Sequence, residues 1–204
     1  MFRPAQGGLA VPFERRRPLI IRLETERLLI EPFVAADAAD LFAWSSDPDT
    51  TQYMGWKRHE TLADTVAVLG YFERVKESQP PKFDRPLAFR DKASGRPLGG
   101  GGIHQAGEGA VELGWILRPE ARRQGFAHEA AAALHAFAMT QLPWARRIEV
   151  RAHPDNATSI RLAQKLGYRP MEDCFFNMPQ LHGAKTRLLR FGLEKAPDGD
   201  AGGA

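Results

Sequence analysis

Val111-Glu112-Leu113-Gly114-Trp115-Ile116-Leu117-Arg118-Pro119-Glu120-Ala121-Arg122-Arg123-Gln124-Gly125-Phe126-Ala127-His128-Glu129-Ala130 is the stretch whose reading decides the fold. Its apolar opening reads as a buried strand, which Pro119 ends because proline cannot donate to a sheet ladder. After a short basic turn, Ala127, Ala130, Ala131, Leu134, Phe137 and Ala138 recur at helical spacing. The order is strand, turn, helix, with Gly125 at the helix mouth. A helix start presents unpaired N–H groups and the positive end of the helix dipole. Glycine there lets a ligand approach the backbone closely, so the turn suits a phosphate or pyrophosphate. Neither a triphosphate P-loop nor the fingerprint G-x-G-x-x-G is present in this turn.

Upstream, apolar runs over Arg85 to Asp91, Pro97 to Gln105 and Val111 to Leu117 are separated by Ala93-Ser94-Gly95 and Gly107-Glu108-Gly109. Such short turns imply an antiparallel meander. Gly99 to Gly102 invites a phosphate-loop reading, but no helix follows it, so a kinked or bulged strand is expected. Leu19 to Phe33 holds a strand closed by Pro32. Asp37 to Trp44 reads as a short helix entering a Ser-Ser-Asp-Pro-Asp turn, and Thr61 to Val75 as a longer helix with Leu62, Val66, Leu69 and Phe72 on one side. Between them lies an aromatic and polar loop, Tyr53 to His59.

Downstream, Arg147 to Ala152 is a strand, His153 to Asn156 a turn, and Ala157 to Leu166 a short helix with Ile160, Ala163 and Leu166 inward. Gly167 supplies a left-handed helix end. Asp173 to Asn177 and Thr186 to Leu193 are the last two strands, around a loop containing His182-Gly183. The expectation is one domain over 19–195, with a flexible lead-in over 1–18 that includes Arg15-Arg16-Arg17, and a flexible tail over 196–204.

The 204 residues are enough for one domain with a substantial core. Apolar residues make up 43% and charged residues 26%, as in globular domains that dissolve in water, and no apolar run approaches the roughly 18 residues of a bilayer span. The first residues lack a secretory apolar core, and the single cysteine, Cys174, permits no internal disulfide. Both fit a cytoplasmic protein without a membrane partner. A net charge of +3 favours anionic ligands only mildly, and the arginines are scattered, so nucleic acid is not an expected partner. No Cys/His cluster has metal-ligand spacing, so no metal is expected.

Arg122-x-x-Gly125-x-Ala127 resembles the acyl-CoA pyrophosphate loop of the GNAT acetyltransferase superfamily, Gln/Arg-x-x-Gly-x-Gly/Ala. About thirty residues on, Asn156-Ala157-Thr158-Ser159 and Lys165-Leu166-Gly167-Tyr168 are similar to that family's Asn-x-x-Ser and Lys-x-Gly-Phe/Tyr. Thr25-Glu26-Arg27-Leu28, Asp37-Ala38 and Ser46-Asp47-Pro48 resemble the opening of its RimJ/RimL-like branch, with Glu31 where that branch usually has arginine. The resemblance runs from about Leu23 to about Leu193.

It implies an α/β (α+β) fold: a mixed, mostly antiparallel central sheet, flanked by helices and splayed between the strands ending at Leu117 and Ala152, with acyl-CoA in the gap. Backbone groups of Trp115, Ile116 and Leu117 would pair with the pantetheine arm like an added strand. The N–H groups of Arg123, Gln124, Gly125, Phe126 and Ala127, with the charges of Arg122 and Arg123, would hold the pyrophosphate. Asn156 would bond the pantetheine arm, although asparagine there is equally a helix N-cap.

The implied reaction moves an acetyl group from acetyl-CoA to a primary amine, on a protein N-terminus or a small molecule. A protonated amine has no lone pair, so a base must take its proton. Glu112, on the strand feeding the loop, and Glu149, matching a base in some peptide-acetylating relatives, are the candidates; each could instead be an ion-paired strand residue. His104 is a third. Many relatives place a tyrosine acid where this chain has Ala163, so Ser159 is the substitute near the departing thiolate. Cys174 has no activating neighbour in sequence and reads as a structural thiol. Tyr53 to His59 and the loop around Phe176 to Lys185 would carry acceptor specificity. A monomer or homodimer is expected. Ala163 also leaves room for another reading, a catalytically weak acyl-CoA-binding or sensing protein.

Overall fold

Strands β3 (Asp84–Asp91), β4 (Pro97–Gly107) and β5 (Ala110–Leu117) form the antiparallel meander that their tight turns require. The computed structural model describes residues 19–179 and 183–195; the lead-in over 1–18, the tail over 196–204 and His182 lie outside the described residues. β1 (Leu23–Glu24) and β2 (Leu28–Pro32) extend the meander on one side. On the other, β5 meets β6 (Arg147–Ala152) in parallel, and β6 pairs with β9 (Ala184–Glu194), which carries β7 (Arg169–Pro170) and β8 (Cys174–Met178). The sheet is mixed and mostly antiparallel, in the order β1-β2-β3-β4-β5-β6-β9-β7.

Helix α4 (Phe126–Gln141) is the parallel crossover between β5 and β6. Its Ala130, Leu134 and Ala138 are buried with Val111, Leu113, Ile148 and Val150 in the main core. The small residues let the helix lie close to the sheet. On the opposite face, α1 (Ala38–Ser45) and α3 (Leu62–Val75) build a second cluster, with Phe33, Leu41, Trp44, Leu69 and Ala88 at its centre. Thr61 caps α3, with Asp64 taking the Thr61 N–H in return, so the helix starts where the sequence places it. The Ser-Ser-Asp-Pro-Asp segment goes further than a turn: Asp47 accepts the Thr50 N–H and Pro48 sits at the first helical position of a one-turn helix, α2 (Pro48–Thr51). The last helix, α5 (Ala157–Lys165), ends at Gly167 with φ +88°.

The glycine run departs from its expected form. Gly99 to Gly102 pair in continuous register with both neighbouring strands, and the irregularities fall elsewhere, at Phe89/Arg90 and Gln105/Gly107. Close approach is what demands glycine. A Cβ at Gly100 would lie 2.6 Å from Cζ of Phe33, and one at Gly101 would collide with the carbonyl oxygen of Gly114. No helix among the described residues is long and apolar enough to cross a membrane.

Candidate active site

β5 and β6 pair only through Ala110–Glu112 and Arg147–Glu149. From Leu113 onward that edge of β5 has no strand partner among the described residues. The gap is a cavity of about 220 Å3, with Glu112, Gly114 and Trp115 on one wall and Ala152, Asn156 and Ser159 on the other. A second cavity, of about 650 Å3, lies between the sheet and the α1/α3 layer. The two share Met54, Trp56, His104, Gly114 and Trp115.

At the far end of β5 the basic turn has two left-handed residues close together, Arg123 at φ 61° and Gly125 at φ 86°. Such alternation curls successive N–H groups toward one point, the geometry of an anion nest. The Arg122 guanidinium is turned to the carbonyl of Leu117, 3.2 Å, and to Oγ1 of Thr50, 2.5 Å. Gln124 donates to the carbonyl of Glu120, and Arg123 is exposed.

Arg27 is a residue that sequence reasoning placed only in a motif. Its guanidinium donates to Glu129 Oε2 at 2.7 Å and to the carbonyl of Gln124 at 2.9 Å, and lies 4.2 Å over the Phe126 ring. Glu129 also accepts the Thr25 hydroxyl and the Arg27 N–H. The Thr-x-Arg of the opening is therefore half of a clamp that fixes the first turn of α4. Burial works against the Glu129 charge, but these donors outweigh it and hold its carboxyl below the ordinary value of 4.5. The stabilisation is complete above that value and fades as the pH falls through the lower folded-state one. Glu129→Ala should cost about 2 kcal/mol in urea unfolding and weaken binding of an anion at the turn; unchanged stability would contradict the clamp.

The three candidate bases fall in one row with Asp84. Asp84, His104, Glu112 and Glu149 are successive register partners across β3, β4, β5 and β6, so they project from the same face, away from α4. Glu112 accepts two hydrogen bonds from Arg151, one of them 2.7 Å from Nε, and lines the smaller cavity. Glu149 is buried at 3% exposure, accepts from Nε of Arg147 at 2.6 Å and lines neither cavity. His104 lines both. Its Nδ1 is 2.5 Å from Asp84 Oδ1, and the Tyr71 hydroxyl donates to Asp84 Oδ2 at 2.6 Å.

Burial would raise the Asp84 pKa, but the His104 hydrogen bond and charge, the Tyr71 hydroxyl and Arg85 together lower it. Asp84 in turn pushes the Tyr71 phenol up to about 12. An ionised carboxylate only accepts, so Nδ1–H of His104 donates to Asp84 and Nε2 is the ring nitrogen that faces away from it.

Asn156 Oδ1 accepts the Ser159 N–H at 3.2 Å, the capping arrangement, which leaves its amide nitrogen as a donor. Ser159 lines the smaller cavity, whereas Ala163 is fully buried in the main core. Of the acceptor segments, Met54, Trp56 and His59 line the larger cavity; Phe176, on β8, lines the smaller one and packs against Gly55. Among the described residues no group of three His, Cys, Asp or Glu side chains is placed to hold a metal.

This architecture agrees with what the chain resembles. Residues 27–169 match the family model described as Acetyltransferase (GNAT) domain. The chain belongs to the GNAT acetyltransferases. The uncharacterized N-acetyltransferase YnaD of Bacillus subtilis (strain 168) is 26% identical over 149 residues, 73% of this chain and 83% of that protein. The crystal structure of a GNAT-family acetyltransferase from Bacillus anthracis aligns with a TM-score of 0.71 at 22% identity, covering 85% of this chain and 98% of that one. Ribosomal-protein-S5-alanine acetyltransferase from Vibrio fischeri aligns at 0.66 with 14% identity, covering 86% and 97%. The GNAT chain described here is accordingly an acyl-CoA-dependent N-acetyltransferase, with acetyl-CoA the family's donor.

Proposed function

We propose that this GNAT enzyme acetylates a primary amine from acetyl-CoA at the meeting of the two cavities, with His104 as the base. The observation that carries this reading is that Gly114 and His104 line both spaces at the unpaired edge of β5. The residues present suit the donor. The amides of Arg123 to Ala127 receive the diphosphate, Arg123 adds its exposed charge, and Arg122 buttresses the turn through Thr50. The free edge at Trp115, Ile116 and Leu117 takes the pantetheine arm as a strand, and the Asn156 amide donates to it.

Bound acetyl-CoA supplies an activated acyl carbon. His104 Nε2 removes the proton that the amine must lose, and Asp84 holds the ring in the tautomer this needs. The N–C bond forms as the C–S bond breaks, and the sulfur leaves with the electron pair, near Ser159. Glu112 is the second candidate base, but its hydrogen bonds to Arg151 commit it to structure. Glu149, wired to Arg147 behind the cleft, is assigned to structure as well. The opening motifs, and the fold shared with a ribosomal-protein acetyltransferase, support a RimJ/RimL-like enzyme, and the single cysteine fits a reducing cytoplasm.

Calorimetry with CoA tests the donor half. Binding is expected, and Gly125→Val should weaken it at least tenfold, because φ 86° is strained for a β-branched residue and a Cβ would approach Nη2 of Arg27 to 3.3 Å. No heat with CoA would sink the assignment. Binding without turnover on any amine would favour the sensing protein instead.

A further inference from the structure

The larger cavity has walls that say something about its occupant. Phe33, Trp44, Trp56, Val68, Phe72 and Ile116 surround it, and its volume of about 650 Å3 is in the range of sites for drug-sized molecules. The acids at its edge are already engaged. Glu60 pairs with Lys57 at 2.8 Å, and Asp64 Oδ2 accepts the N–H groups of Glu60 and Thr61. Asp84, beneath His104, takes the imidazole and the Tyr71 hydroxyl. His59 shares Nδ1 with the hydroxyls of Ser45 and Thr65, and burial lowers its pKa, which keeps it neutral. Among the acids lining the chamber only Glu60 is paired with a cation, and a polycation would find the single carboxylate of Asp64 at the edge, beside the cations of Lys57 and Arg58, against walls that are mostly aromatic and apolar.

Of the five residues common to chamber and cleft, Gly114 is the one without a side chain. Gly114 belongs to both linings and stands opposite Gly102 in the register, one pair from His104 and Glu112 on its own face. It differs from the glycines of β4. A Cβ at Gly114 would meet nothing within 4 Å, and its φ is not in the left-handed range. The space a Cβ would take is open and its φ is one that L-residues adopt, so a side chain there would project into the passage.

We infer that the acceptor is a small molecule bearing its primary amine on an apolar, ring-containing body, and that Gly114 is the aperture through which the amine reaches the thioester. This rests on the acetyl-transfer reading above. The body is held by the aromatic walls, while the amine lies over Gly114 beside Nε2 of His104. A second consequence is that binding of the acceptor body changes the surroundings of Trp44 and Trp56, whether or not the donor is present.

The test has two arms. Without acetyl-CoA, phenethylamine and tryptamine are titrated against spermidine and an alanine-initiated hexapeptide, with intrinsic tryptophan fluorescence and calorimetry as readouts. Ring-bearing amines should bind, and kcat/KM for their acetylation should exceed that for spermidine or the peptide at least tenfold. In the second arm, Gly114→Leu should lower kcat/KM at least a hundredfold with CoA affinity within threefold of wild type, and Gly114→Ala should lie between. The alanine variant keeps the test informative should the leucine variant fold poorly. Preference for spermidine or the peptide, or full activity in Gly114→Leu, overturns the inference while acetyl transfer stands. Absence of CoA binding in the wild type would instead remove the reading beneath it.

Discussion

His104→Gln is expected to lower kcat by about 10²- to 10⁴-fold, the span over which a positioned general base acts, with CoA affinity unchanged. The imidazole lines both cavities, and its Nδ1–H donates to Asp84, which leaves Nε2 as the ring nitrogen available to the amine. Asp84→Asn should lose activity through the ring's tautomer and orientation while His104 remains in place. Glu112→Gln separates the candidates: it still faces Arg151, and less than a tenfold loss is expected. If Glu112→Gln abolishes turnover and His104→Gln leaves it, the base has been misassigned.

Arg85→Met should destabilise the fold by about 3–5 kcal/mol, the scale for orphaning several buried polar groups at once. Arg85 is 1% exposed. Its guanidinium donates to the carbonyls of Leu19, Val75, Ser78 and Asp84 and to the Ser78 hydroxyl. Burial lowers its pKa, yet neighbouring Asp84 and Glu77 oppose that change and the charge is kept. The fan of bonds ties the end of α3 to β3, so the chamber wall and the sheet are held by one side chain. A melting temperature lowered by roughly 10 °C is expected, and Arg85→Lys should fall between, since an ammonium cannot span the same acceptors. A shift under 2 °C would show that water replaces the guanidinium without cost.

The fold was legible wherever its signal was local. The meander, the turn before α4, the helix that begins by Thr61 and the cap at Asn156 are each written within a few residues, and the structure has them where the spacing puts them. What periodicity does not carry is register. Asp84 and His104 are 20 positions apart, and only the pairing of β3 with β4 sets them side by side. The same holds for Arg27 and Glu129, whose partnership spans 102 positions. Glu112 and Glu149 were both candidate bases as strand carboxylates, with a slight lean to Glu112; the splay makes them different, by opening beside one and closing over the other. The glycines of β4 were read as a bulge because a strand without side chains usually means one. Their cause, the rings of Phe33 and Phe89 pressed onto bare backbone, comes from residues distant in the chain.

Those glycines also set how this scaffold can diverge. At Gly99 to Gly102 a single added methyl group meets a neighbouring backbone or a ring, so those four positions are frozen in composition whatever amine is processed. Across the ladder, Gly114 has free volume above it. A lineage in search of a new substrate would find its cheapest step there, trimming the chamber one carbon at a time while topology and donor grip stay as they are.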